Sequence, residues 1–233
     1  MKVSRIYIPA NKPEDWRKLL AKPRTQWRTG YSAKALACCW QEANDFPESV
    51  RNVFKSSSIE LFQNVELLLA FPEYKVPLPG GARPSQNDIF ILARGSDQLI
   101  AITVEGKASE SFGETVVEWK LNDSEGKQKR LHFLCEELQL QEEQIDHIRY
   151  QLLHRTASAI IEAHKCKAEN ALMLVHSFSK SDEWIEGFKD YQNFLALYGL
   201  RGIEPNSIVY ARNIDGINLY FGWVSGEKKY LEI

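Results

Sequence analysis

Asp88 and the triplet Glu105-Gly106-Lys107 are the residues of this 233-residue chain whose types and spacing point most directly to chemistry. Asp88 opens the run Asp88–Ala93 (DIFILA), which is rich in β-branched and aromatic side chains. Leu99–Val104 (LIAITV) is a second such run, and Gly95-Ser96-Asp97 between them is turn chemistry. Side chains alternate along a strand, so Glu105 and Lys107 share one face and Gly106 points away. A hairpin centred on Ser96 and Asp97 pairs Asp88 with Glu105 and sets their Cβ atoms about 4.5–5.5 Å apart. Like charges so placed are destabilising unless something positive lies between them. A hard divalent cation is the natural occupant, since Mg²⁺ takes one or two carboxylates plus water and phosphate oxygens. Lys107 then points at the same place. A one-residue slip would send the carboxylates to opposite faces, so the reading depends on the turn. The plain alternative is that acids and lysines at strand ends are solvated caps.

Other chemistries find less support. Cys38, Cys39, Cys135 and Cys166 form no CxxC and no Cys/His zinc spacing, and read as reduced thiols of a cytoplasmic protein. His132, His147, His154, His164 and His176 include no HExxH. Ser177 and Ser179 lack a GxSxG elbow, and Gly80-Gly81 lacks the Gly-Lys-Ser/Thr of a phosphate loop.

The elements that must position these residues follow from pattern. Pro13 with Glu14 and Asp15 starts a helix reaching about Leu20. Ser32 caps a helix over Ala33–Ala43, and Pro47 starts a third. Ser56–Ser58 precede a fourth, which runs through Ile59, Phe62, Leu68 and Leu69 and is ended by Pro72. Ser4–Ile8 and Tyr74–Leu78 read as extended, Thr115–Trp119 as a short strand, and Lys127–Leu140 and Gln144–Cys166 as helices. Ala171–Val175 is a buried strand, Asp182–Tyr198 a helix, Ser207–Arg212 with Ile217–Val224 a hairpin, and Tyr230–Ile233 a last edge strand. Strands mixed with helices and hairpins predict an α/β fold with a mixed central sheet flanked by helices. Residues 1–56 form an N-terminal helical cap on a core of residues 57–233, together one compact unit.

Composition excludes several classes. Hydrophobic residues make up 44% and charged residues 26%, as in ordinary globular chains, and no apolar run is long enough to span a bilayer. Residues 1–11 hold no apolar signal segment. Net charge is −2, but residues 1–34 carry nine Lys/Arg against Glu14 and Asp15, leaving the rest acidic. Such a basic arm suits a polyanion held near an acidic metal site; a solvated basic surface is the plain alternative. Trp16, Trp27 and Trp40 in the arm suit base stacking less well than packing onto a core.

Over residues 56–178 the pattern resembles the PD-(D/E)XK phosphodiesterase superfamily, through Ser85-Gln86-Asn87-Asp88 and Glu105-Gly106-Lys107. Asn87 stands where the family name has proline. The resemblance implies that Asp88 and Glu105 bind Mg²⁺ or Mn²⁺ and that Lys107 assists the attacking water. It also implies a further acid, for which Glu60, Glu66 and Glu73 compete and Glu73 is preferred. Some branches carry Gln-x-x-x-Tyr on the following helix; Gln151 matches and Arg155 replaces the tyrosine. His147, Gln151 and Arg155 fall at helical spacing, where Gln151 suits orienting a water or phosphate and Arg155 taking a phosphate oxygen; an exposed polar face is the alternative. GYSA (30–33), VPLPGG (76–81), VEGK (104–107) and YQLLHR (150–155) further resemble an uncharacterised bacterial family of that superfamily. The expected function is a metal-dependent nuclease acting on nucleic acid, DNA ahead of RNA, with no membrane partner. The alternative is a binding or assembly module that keeps the fold with an idle or weak metal site.

Overall fold

The computed structural model describes residues 10–180 and 184–233. The expected extended piece Ser4–Ile8 and the expected helix start at Asp182 lie outside them. Six strands form one mixed open sheet: β1 (Glu66–Val76), β2 (Ser85–Gly95), β3 (Gln98–Lys107), β4 (Asn170–Ser177), β5 (Ser207–Ile214) and β6 (Ile217–Ser225), in the order β1-β2-β3-β4-β6-β5. β1, β2 and β3 are an antiparallel meander, β4 runs parallel to both β3 and β6, and β5 closes antiparallel on β6. All eight residues of β4 are buried, as a central strand covered on both faces requires.

Helices cover both faces. On one lie α1 (Pro13–Arg17), α2 (Pro23–Gln26), α3 (Ser32–Ala43), α4 (Glu48–Ser56) and α5 (Glu60–Gln63). The other carries α6 (Val116–Lys120), α7 (Glu125–Leu138), α8 (Tyr150–Cys166) and α9 (Trp184–Ala196). β3 shows the division: Ile100, Ile102 and Val104 join the first core and Ala101 the second. The helical N-terminus is part of the first core, where Trp16 and Trp40 are buried and Trp27 packs half-buried, so the tryptophans serve packing. Among the described residues no helix is long and apolar enough to cross a membrane.

Five expectations are corrected. The helix expected through Leu68 and Leu69 stops at Gln63, and those leucines and Pro72 belong to β1. β1 is an edge strand, where a proline can turn its missing N–H outward. Thr115–Trp119 is not a strand: Thr115 caps α6, accepting from Glu118 N while Glu118 accepts from Thr115 N, a T-x-x-E capping box that outweighs the β-branched pair after it. Tyr230–Ile233 is no strand either; residues 228–231 make a short 3₁₀ turn that buries Tyr230 and Leu231 in the first core. α8 begins at Tyr150, so His147 precedes it, exposed, and does not share a helical face with Gln151 and Arg155. Ser32, expected as a cap, is the first residue of α3, and its N–H and hydroxyl both donate to Glu110.

Candidate active site

The site is built on the β2–β3 hairpin. Ser96 and Asp97 both adopt positive φ, 45° and 60°, the geometry of a two-residue turn matched to strand twist. Ile89 then pairs with Val104 and Phe90 with Thr103, the register expected from the sequence. Continued one step, it sets Asp88 opposite Glu105. There the Asp88 side chain takes over from the ladder, accepting from Gly106 N at 2.7 Å through Oδ2. Gly106 has no side chain to keep the carboxylate away: a Cβ would lie 3.3 Å from Asp88 Oδ2 and 3.3 Å from Leu36 of α3. Asp88 Oδ1 keeps no protein partner among the described residues.

Glu73 comes from β1. Its φ is 51°, a left-handed residue inside a strand, a conformation costing about 1–3 kcal/mol for a non-glycine side chain. The twist breaks the alternation, so Phe71 and Tyr74, three apart, both pack on Phe90. It also carries Glu73 to Gln86, whose Nε2 donates to Glu73 Oε2 at 2.7 Å. Of the competing acids, Glu66 lies at the far end of β1 paired with Arg94, and Glu60 is on α5; neither lines the cavity.

α8 supplies the counter-charges. Arg155 Nε donates to Glu105 Oε2 at 2.6 Å, and Gln151 Nε2 to Glu105 Oε1 at 2.7 Å. Lys107 Nζ lies 2.9 Å from Glu105 Oε1, donates to Gln151 Oε1 at 2.8 Å and to Ser111 O at 3.3 Å, and rests over the Phe112 ring. Gln151 thus ties acid and lysine together and is not part of a merely solvated face. Arg155 also donates to Ser85 Oγ, which lies 2.8 Å from His154 Nδ1.

Glu73, Asp88, Glu105, Lys107, Gln151 and Arg155 line one cavity of about 490 Å³. Its electrostatics follow from burial and pairing. Burial, then the negative charge of Glu105, pushes the Asp88 carboxyl up to about 7. Burial, then Asp88, pushes Glu73 up to about 8. Burial acts on Glu105 in the same sense, but Arg155 and then Lys107 outweigh it and hold Glu105 below the usual carboxylate range. Burial and the neighbouring Arg155, Arg130 and Lys107 keep His154 neutral. His176 is a core residue: Trp40 Nε1 donates to its Nδ1, and burial lowers it to about 3.

Hard oxygen donors under mutual repulsion are the kind of set that suits a divalent cation. Among the described residues no group of three or more His, Cys, Asp or Glu side chains is already gathered as a metal cage. Two carboxylates with water would suffice for Mg²⁺.

Sequence reasoning missed the other wall. Leu20, Thr25, Gln26, Arg28 and Tyr31 of the basic arm line the cavity opposite α8, and Glu110 binds the start of α3 to the loop after β3. The only local signal was the cluster of arm cations; the contact itself is long-range.

No curated protein and no solved structure gives a significant match to the chain. A family model does, across residues 9–228, which takes in the arm, the hairpin, α8 and the sheet. The protein therefore belongs to the family described as a domain of unknown function, DUF6946.

Proposed function

We propose that the protein is a metal-dependent phosphodiesterase acting on nucleic acid, its fold akin to the PD-(D/E)XK nucleases. One observation carries the reading: Asp88 and Glu105 meet across the hairpin at a cavity that also holds Lys107. Asp88 and Glu105 would hold Mg²⁺ or Mn²⁺, with Glu73 as a third acid. When bound, such an ion lowers the pKa of a coordinated water and offsets charge on the phosphate. Lys107 exchanges its longest contact, to Ser111 O, for the attacking water or a phosphate oxygen and stabilises charge there. Gln151 holds Lys107 and Glu105 in register, and Arg155 fixes Glu105 from behind. The basic arm grips flanking phosphates, of DNA ahead of RNA. Four free cysteines support a reducing compartment, the cytoplasm, as the place of action.

A specific observation favours a second reading. Both Glu105 oxygens are already engaged, and Arg155 stands where the resemblance expects tyrosine. A binding or assembly module with an idle site would look this way. Calorimetry with Mn²⁺ on wild type and Asp88→Ala, followed by a cleavage screen beside Lys107→Ala, separates the two. Metal heat lost in Asp88→Ala, with cleavage lost in Lys107→Ala, supports the enzyme. No heat and no cleavage supports the module.

A further inference from the structure

The hydrolytic reading gives the wall of the cavity formed by the basic arm only the general task of gripping phosphates. Residues 20–33 cross in front of the acids, and this wall is fixed in place. Gly30 N donates to Leu231 O at 2.9 Å, Thr29 Oγ1 to Ile233 O at 2.7 Å, and Gln86 Nε2 to Leu19 O at 3.2 Å. Two of its side chains make no hydrogen bond, ion pair or ring contact among the described residues. Tyr31 is 41% exposed and its ring has no aromatic or hydrogen-bonding partner among the described residues. The Arg28 guanidinium has no ion-pair or hydrogen-bond partner among them, although the cavity floor beside it is acidic. The polar cluster of Tyr74, Glu162 and Lys165, by contrast, is satisfied within itself.

We infer that the cavity takes one unpaired nucleotide, with Tyr31 stacking on the base and Arg28 holding a flanking phosphate, so that the substrate is a single strand or a frayed end. Its standing as a substrate rests on the phosphodiesterase reading. The cavity volume of about 490 Å³ is that of a pocket for one small ligand. The floor lies deep: Glu105 is 4% exposed and Lys107 7%. A scissile phosphate must pass under residues 20–33 to reach it, with α8 on the other side. In a duplex that phosphate belongs to a stacked rod, stiff over about 150 base pairs, and its base is tied to a second strand. A single strand can turn one nucleotide in without breaking pairs. Stacking on an aromatic ring accepts any base, because every base presents a π-face. A guanidinium takes phosphate oxygens in a forked contact.

The test uses end-labelled oligonucleotides with Mn²⁺: a single strand, a blunt duplex of the same sequence, and that duplex with a single-stranded tail. Wild type, Tyr31→Ala, Tyr31→Phe and Arg28→Gln are compared, with Lys107→Ala as the blank. The single strand and the tail are expected to be cut roughly tenfold or more faster than the blunt duplex, and Tyr31→Ala to raise KM on the single strand by roughly tenfold at little change in kcat. Tyr31→Phe keeps the wild-type KM, since the ring face does the work. Anisotropy with the intact single strand, in the Lys107→Ala background, is expected to show the same loss for Tyr31→Ala. A blunt duplex cut as fast as the single strand, with Tyr31→Ala without effect, overturns the inference and leaves the phosphodiesterase reading standing. Single-strand binding that depends on Tyr31 but comes with no cleavage above the blank upholds the nucleotide cavity and overturns the hydrolytic reading. Absence of both binding and cleavage overturns both.

Discussion

Arg155 Nε donates to Glu105 Oε2 across 2.6 Å in a place where both side chains are buried. Arg155 is also the closest cation to the crowded acids. Removing one partner of a buried pair leaves the other charge without its counter-ion, at a cost of about 3–5 kcal/mol. Arg155→Met is expected to lose about that much in urea unfolding at neutral pH, tempered by Lys107, which stays beside Glu105. The double variant Glu105→Gln/Arg155→Met should recover more than half of it. A loss below about 1 kcal/mol in the single variant would show that the pair is a surface-like contact.

Lys107 is expected to act in the chemical step. Lys107→Ala should cut any nuclease activity by roughly 10², or about 2.7 kcal/mol of transition-state stabilisation. Metal affinity by calorimetry should hold or rise, because a positive charge beside Glu105 is gone. Lys107→Arg should not restore the rate, since a planar fork cannot replace a compact ammonium wedged between Gln151 and Phe112. Undiminished cleavage by Lys107→Ala would refute the assignment.

The raised acids give the metal-free protein a defined pH dependence. Asp88 moves from its ordinary 3.8 to about 7 and Glu73 from 4.5 to about 8. The folded state therefore binds more protons than the unfolded one in between, so their contribution is fullest below about pH 4 and is lost as pH rises through about 7 to 8. Glu105, held low, works in the opposite sense and is lost only in acid. Urea unfolding in EDTA should show stability falling as pH rises from about 4 to about 8. Asp88→Asn should flatten the fall while keeping the bond from Gly106 N, and Mn²⁺ should raise the wild-type melting temperature but not that of the variant. A slope unchanged in Asp88→Asn would contradict this.

The turn offers a check on the scaffold alone. Ser96 and Asp97 hold positive φ and are exposed. Asn-Gly suits both positions better, so Ser96→Asn/Asp97→Gly should raise stability by about 0.5–1 kcal/mol in urea. Site properties should stay as they are, because the register is unaltered. A destabilised double variant would mean that the turn is fixed by contacts other than its own dihedrals.

What the sequence reveals and what it hides divide along contact range. The Ile89–Val104 register that brings Asp88 beside Glu105 and Gly106 is legible because a two-residue turn sets the register of everything beside it. β5 and β6 are legible for the same reason, with Asp215 and Gly216 at positive φ between them. β1 is hidden because its apolar run is short and Pro72 suggests a helix end; only its place at the sheet edge makes the proline harmless. Thr115 is misread because β-branched neighbours mask a capping pair whose signal is the glutamate three residues on. Arg155, expected either as a phosphate ligand or on an exposed polar face, is turned to Glu105 by tertiary packing. Tyr31 and Arg28 reach the cavity through chain contacts more than forty positions away, which no local pattern carries.

The meander has a consequence in time. Glu73, Asp88 and Glu105 all belong to β1, β2 and β3, whose connections are short and close early as loops. Arg155 rides on the crossover between β3 and β4, residues 108–169, and reaches Glu105 only once that long segment has folded back and β4 has paired. A chain growing from its N-terminus therefore gathers its acids before its principal counter-charge exists. During that interval Lys107 and the cations of the arm made before it are the positive charges at hand.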